Sequence, residues 1–466
     1  MRTPRRGRRS SAGFTMVELT VSLVAGLIVA LAIAGLSREA TRTFNEEVRV
    51  SAAEAALRTA VDRLRADLQR AAFMSTPNIQ MDPMIAKVLG GPNVSAAMAL
   101  IPALNQLAGI RYNVATTTGL ALNAVNPGVA ATIIDIAGNM TTSEQFEIQS
   151  ISPNVGGSGS CTQINLSWTS PAIFRILNAS DGGSDPNAAA EMLNIFQPVT
   201  GQQFIVRVLD FSGRSQFFLT CANPGASQPV AGIYNSAGTC APYVYVQGTP
   251  LTASQTGGVG GLQGNGVGGF VNPVMVVRWE IVSSSSSVDK EPAQDLNGLS
   301  GLPTNIATQD PNKYDLMRSY LDQNGNVLPT SSEIVAEYAV DMDFSFSVDK
   351  GITAGTAPAI TTYDFDATGS TNNTNVAAVV KPSIVTPATP DPQRIRSVRA
   401  RLVTRTATAD RTLNIATTAP FLYRYCLNTG GCPSTSAAAA LVPAQWARAR
   451  TIVTEVALPN QAQAFY

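Results

Sequence analysis

The chain of 466 residues contains no histidine. That removes the commonest general base, the Ser–His and Cys–His nucleophile pairs, and the imidazole ligands of most zinc sites. Cysteine is scarce, with five residues at 161, 221, 240, 426 and 432, none of them in a Cys-x-x-Cys spacing. Neither a zinc ribbon nor a thioredoxin-like redox pair is supported. Charged side chains make up only 14 % of the chain, 32 basic against 32 acidic, which lacks the strongly basic footprint of a nucleic-acid protein. Ser, Thr, Asn, Gln and Gly take the place of charge, a composition suited to a β-rich domain outside the cytoplasm. There, disulfides are the expected state of cysteine. No spaced Asp/Glu pair stands out as catalytic, so no enzyme activity and no cofactor are expected, although carboxylate-based glycosidases need no histidine.

The apolar residues gather at the start. From Phe14 to Leu36 the only ionisable side chain is Glu18, and no proline interrupts the run. A helix of that length and composition spans a hydrocarbon core of roughly 30 Å. Arginines at 2, 5, 6, 8 and 9 precede it, which places its start on the cytoplasmic side and points its carboxyl end outward. A secretory signal also opens on a basic region and an apolar run, but its small-residue cleavage site comes after the run. Here the small residue, Gly13, comes first.

Gly13-Phe14 with Glu18 at the fifth place after the glycine closely resembles the type IV prepilin leader. The resemblance implies a leader peptide over 1–13, cleavage between Gly13 and Phe14 by a prepilin peptidase, and N-methylation of Phe14. It also implies that Glu18 compensates the Phe14 amine of a neighbouring subunit during assembly. Loss of five leader arginines would leave 27 basic side chains against 32 acidic ones.

The helix continues beyond the membrane-length segment, because Ser37–Phe73 holds neither Pro nor Gly. Leu57, Val61, Leu64 and Leu68, continuing to Ala71 or Ala72, form one stripe that predicts packing against the protein's own sheet. Arg58, Asp62, Arg63, Arg65, Asp67 and Arg70 fall on the opposite face, with Glu54–Arg58 and Arg63–Asp67 at ion-pair spacing. One helix over 14–73 is expected, its part 14–36 in the membrane, ended by Pro77 and Pro83. The remainder, 74–466, reads as a β-rich domain outside the cytoplasm, with about 84–140 and 254–311 as irregular segments or insertions. Alternation predicts strands at 146–151 and 163–168, a hairpin of 203–209 with 216–221, and strands at 243–246 and 271–282. A short helix over Pro186–Phe196 is expected, with Asp185 as its cap. The fold class is α+β: a long N-terminal helix on an antiparallel, pilin-like domain with long loops.

Three constellations bear on chemistry. Gly264-x-Gly266-x-x-Gly269 matches a dinucleotide fingerprint, but a Gly/Ser coil precedes it and a strand pattern succeeds it, so a loop is expected. Asp322, Asn324, Asn326 and Glu333 have the spacing of calcium-loop oxygens, but Val327 stands where the sixth-place glycine belongs. An Asn-Gly turn between Tyr320 and Val327 explains the same residues. Cys426 and Cys432 flank Leu-Asn-Thr-Gly-Gly and could close a small loop; Cys221 and Cys240 could close a second, leaving Cys161 over.

Segments Glu333–Asp349, Arg394–Arg405 and Arg450–Asn460 are similar to strands of PilW-type minor pilins. The resemblance implies a minor pilin that helps prime a type IV pilus and is incorporated near its tip. Its implied partners are the major pilin, other minor pilins, the prepilin peptidase, the inner-membrane assembly machinery and a tip adhesin. No nucleic acid is expected. The implied location is the inner membrane, single-pass, then the pilus at the cell surface. Alternatives are a type II secretion pseudopilin and a pilin-anchored enzyme or carbohydrate-binding protein.

Overall fold

The computed structural model describes residues 15–85, 101–113, 132–152, 161–177, 186–210, 213–221, 229–234, 240–248, 268–283, 313–349, 360–365, 392–408, 424–427 and 446–461. Residues Met1–Ala52 and Ala53–Tyr466 are separate compact units. Helix α1 runs unbroken over Met16–Gln69. It stops four residues short of the expected end, although no proline has yet been reached. The reason lies in the next turn, where Ala72 and Met74 adopt left-handed φ values of 59° and 50°. That turn is tied to the sheet: Ala72 N donates to Ala137 O (2.8 Å) and Asn139 N to Phe73 O (2.9 Å). Gly138 is required there, since a Cβ at this position would collide with the Arg70 carbonyl oxygen.

After α1 come a short helix α2 (Pro102–Asn105) and strands β1 (Ile110–Asn113), β2 (Ile133–Gly138), β3 (Phe146–Ser152) and β4 (Cys161–Leu166). Helices α3 (Pro171–Ile176) and α4 (Pro186–Phe196) precede β5 (Ile205–Leu209), β6 (Ser215–Leu219), β7 (Ala231–Tyr234), β8 (Cys240–Gln247) and β9 (Phe270–Ser283). The remaining strands are β10 (Tyr314–Tyr320), β11 (Glu333–Glu337), β12 (Ala339–Asp349), β13 (Ile360–Tyr363), β14 (Ile395–Arg405), β15 (Arg424–Cys426) and β16 (Trp446–Ala457). The class is α+β, with antiparallel pairing throughout the strand ladders. The expected irregular segments 84–140 and 254–311 are corrected in part, because α2, β1 and β2 fall within the first and β9 within the second.

An 11-stranded sheet is organised on β9. Residues 270–274 of β9 pair with β3 and β5, and residues 275–283 pair with β2 and β10. A second sheet has the order β13-β12-β14-β16-β15. Thr132 ties the two sheets, its N–H and hydroxyl both donating to Met342 O.

Of four apolar clusters among the described residues, the two largest correspond to the two ends of β9. The larger joins Leu57, Val61, Leu64 and Leu68 of α1 to Trp279 and Ile281 of β9, Phe344 and Phe346 of β12, Leu402 of β14 and Val456 of β16. The other lies among β3–β8, α3 and α4, where Phe146, Ile164, Met192, Phe196, Val206 and Val271 meet. The expected hairpin is β5–β6, with Ile205 opposite Leu219 and Leu209 opposite Ser215.

Candidate functional site

Thr15 begins the site by capping α1. Its N–H and hydroxyl both donate to Glu18 Oε2, each at 3.0 Å, and Glu18 N donates back to Thr15 Oγ1 at 3.3 Å. This reciprocal arrangement is a capping box, which satisfies backbone donors left unpaired at a helix start. Glu18 is therefore held by its own chain through a neighbour three residues away. Gly13 and Phe14, the residues of the expected cleavage and methylation, lie outside the described residues.

Beyond the cap, Leu19, Leu23, Leu27, Leu31 and Leu36 are all exposed. This is one helix long and apolar enough to cross a membrane. The far end of α1 behaves oppositely. Leu57, Leu64 and Leu68 are wholly buried, and Thr404 donates to Ala53 O at 3.3 Å.

Asp67 departs from the sequence expectation. It does not sit on the charged outer face or pair with Arg63, but is buried and accepts from Trp279 Nε1 (2.9 Å) and Arg318 Nε (2.7 Å). Arg63 instead lies 3.5 Å from Glu333, while Glu54 and Arg58 pair at 2.6 Å as the spacing predicted. A lone acid between Leu64 and Leu68, at the edge of the apolar stripe, was the one signal in the sequence. A second buried carboxylate, Asp135 of β2, lies between Arg111 and Arg278. Burial alone would raise its pKa, but hydrogen bonds and charge from Arg278 and Arg111 hold the carboxyl below the ordinary range.

The arginines of β14 are likewise engaged within the domain. Arg401 donates to both oxygens of Asp341 (2.6 and 3.1 Å) and to Asp343 (3.4 Å). Arg399 lies 3.5 Å from Asp364, and the buried Arg405 lies between the rings of Tyr338 and Tyr425, 4.9 and 5.7 Å from their centres. The strand is buried on both faces from Ala400 to Arg405, so its arginines there are held by acids and rings of the domain.

The calcium-like residues form a turn. Asp322 Oδ1 accepts from Asn324 N and Asn326 N, each at 2.8 Å, and Gly325 adopts a φ of 83°. Leu321 bridges Val327 across it. Glu333 belongs to β11, opposite Arg318 of β10. Among the described residues no cluster of three or more His, Cys, Asp or Glu side chains is placed to hold a metal. Residues Gly264 and Gly266 lie outside the described residues. Strand β9 begins directly after Gly269, where a pyrophosphate site requires a helix.

The expected Cys221–Cys240 pairing is overturned. Cys221 is joined to Cys161 across a separation of 60 residues, and Cys240 is a free thiol. The sheet dictates the pairing: Cys161 lies opposite Gln247 on β8, and Cys221 N donates to Tyr245 O of the same strand. Burial pushes the Cys240 thiol above its ordinary pKa, which makes it a poor nucleophile. Cys426 is disulfide-bonded, and Cys432 lies outside the described residues.

Comparison of the chain with protein-family models, curated proteins and solved structures finds no match. The site is therefore read from its own residues: a capped apolar helix, exposed over its first half, continuous with a second half built into a β-rich domain.

Proposed function

We propose that this chain is a minor-pilin-type subunit, which helps prime a type IV pilus and enters the filament near its tip. The single observation that carries the reading is the order of features at the N-terminus. Five arginines, Gly13 and Phe14 come before an apolar helix with exposed side chains, and Glu18 lies in its first turn. Such a surface is stable in lipid or against other apolar helices, and unstable in water. A cleaved leader, a membrane-held subunit and later insertion into a bundle of like helices meet those physical demands in turn. The globular domain then serves assembly, with no enzymatic role.

Glu18→Val tests the reading against a mere membrane anchor. For an anchor the change makes the segment more apolar and leaves membrane insertion intact or improved. For an assembly subunit, insertion and removal of 1–13 persist, while recovery of the protein in sheared surface filaments falls several-fold. Wild-type recovery would overturn a docking role for Glu18. Recovery of the unsubstituted protein only from the periplasmic side of the cell would favour a secretion pseudopilus over a surface pilus.

A further inference from the structure

The structure assigns Asp67 as a positioning residue that fixes the register of α1 on the domain. The apolar stripe alone resists slippage weakly, because Leu57, Val61, Leu64 and Leu68 recur at intervals of four, three and four residues. A slip of one turn lays Val61 on the place of Leu57 and Leu68 on that of Leu64. Apolar contacts have little direction, so such a shifted helix would keep much of its burial.

The polar contact discriminates between registers. Asp67 accepts from the indole of Trp279 and from two guanidinium nitrogens of Arg318, at 2.9, 2.7 and 3.4 Å. Trp279 and Arg318 are direct partners across β9 and β10, so the sheet holds both donors as one fixed receptor. All three side chains are buried. Slips of three or four residues bring Arg63, Leu64, Arg70 or Ala71 to the place of Asp67. The two arginines would set like charge against Arg318. Leu64 and Ala71 would leave its buried charge without a carboxylate. Each alternative is strongly unfavourable, whereas the native pair itself adds little net stability over a well-packed apolar contact. The sequence thus penalises every one-turn slip at a single buried position. The Arg70, Gln69, Ala72 and Phe73 contacts, to Met140 O, Asn460 Nδ2, Ala137 O and Asn139 N, hold the last turn and the residues after it. The Thr404 bond to Ala53 O and the half-exposed Arg63–Glu333 pair bury no charge.

This assignment concerns residues 53–69 and the sheet, and stands whether or not the chain enters a pilus. In a filament subunit it would stop the helix from slipping in the domain when assembly draws it out of the membrane.

The test uses the full chain in detergent, with Cys240→Ser, and spin labels on cysteines introduced at the exposed positions Ala66 and Glu455. Asp67 intact should give one narrow distance. The variant Asp67→Leu/Trp279→Phe/Arg318→Met removes all three polar groups together. It should remain folded by circular dichroism while the distance distribution broadens or splits, by up to about one turn of 5.4 Å. A single wild-type distance in that variant would overturn the assignment, because apolar packing would then suffice. Should the triple variant not fold, Asp67→Asn is measured in its place. It keeps an acceptor for Trp279 without the charge; several distances support the assignment, and one unshifted distance overturns it. Unfolding of both variants would also overturn it, by making Asp67 a stability element instead of a register element.

Discussion

Leu19, Val24 and Leu31, in the first half of α1, are each more than half exposed, whereas Leu57, Leu64 and Leu68 in its second half are fully buried. The residue types are the same and the helix is continuous. The difference is that, among the described residues, the second half packs into an apolar core and the first half is exposed. Full burial of one leucine contributes on the order of 2 kcal/mol. The second half therefore adds to the stability of the domain, while the first half represents unmet demand for an apolar environment. The two halves should respond in opposite ways to the same kind of substitution.

The largest expected effect is at Leu64. Leu64→Asp places a carboxylate in the apolar core shared by α1 and both sheets. Burial of an unpaired charge costs several kcal/mol, comparable with the stability of a whole domain. Loss of the cooperative thermal transition is expected, and Leu64→Ala should cost about 2–5 kcal/mol by denaturant titration. A domain as stable as wild type in both variants would remove the distinction between the halves.

A smaller effect, and one of a different kind, is expected at Leu27. Leu27→Arg should leave the unfolding transition of the domain unchanged, because Leu27 is exposed and belongs to the other compact unit. It should instead weaken membrane insertion by about 2.5–3.5 kcal/mol, the cost of arginine at the centre of a spanning helix. Carbonate extraction of membranes measures this, with a shift of the protein to the soluble fraction expected. Unaltered membrane retention would mean that this half of the helix does not depend on lipid.

The contrast also explains what was legible in the sequence. Clear local patterns announced themselves: the unbroken helix, the hairpin of β5 and β6, and the short helix Pro186–Phe196, whereas strands over the segments of β14 and β16 were expected from resemblance. Strand β2 did not, because all six of its residues are buried and no alternation remains to be read. The disulfide was missed for a related reason. Proximity along the chain favoured Cys240, while the sheet brings Cys161 to Cys221 through their common neighbour β8. Asp67 was misplaced because a helical wheel separates faces by composition. A carboxylate among arginines looks like outer surface until Trp279 and Arg318 arrive from positions more than two hundred residues away. At the candidate site the opposite held. Thr15 and Glu18 are three residues apart, so their chemistry is local, although the cap itself went unread beside the role expected for Glu18.

That cap gives the smallest effect and the finest test of the first half. Thr15→Ala removes the hydroxyl that both accepts from Glu18 N and donates to Glu18 Oε2. The Thr15 N–H bond to the same carboxylate remains available, so the box is weakened and not abolished. Amide exchange in micelles should accelerate several-fold at residues 16–18, whose N–H groups precede the first intrahelical bond, from Leu19 N to Thr15 O. Residues 57–68 should exchange at the wild-type rate, since their protection comes from the core and not from the helix start. Glu18→Gln separates the cap from the charge. An amide oxygen still accepts from Thr15, so first-turn protection should be largely retained, while any function that needs a negative charge at this position is lost. Equal loss of protection in Thr15→Ala and Glu18→Gln would mean that the charge on Glu18, more than the reciprocal hydrogen bonds, holds the first turn of α1.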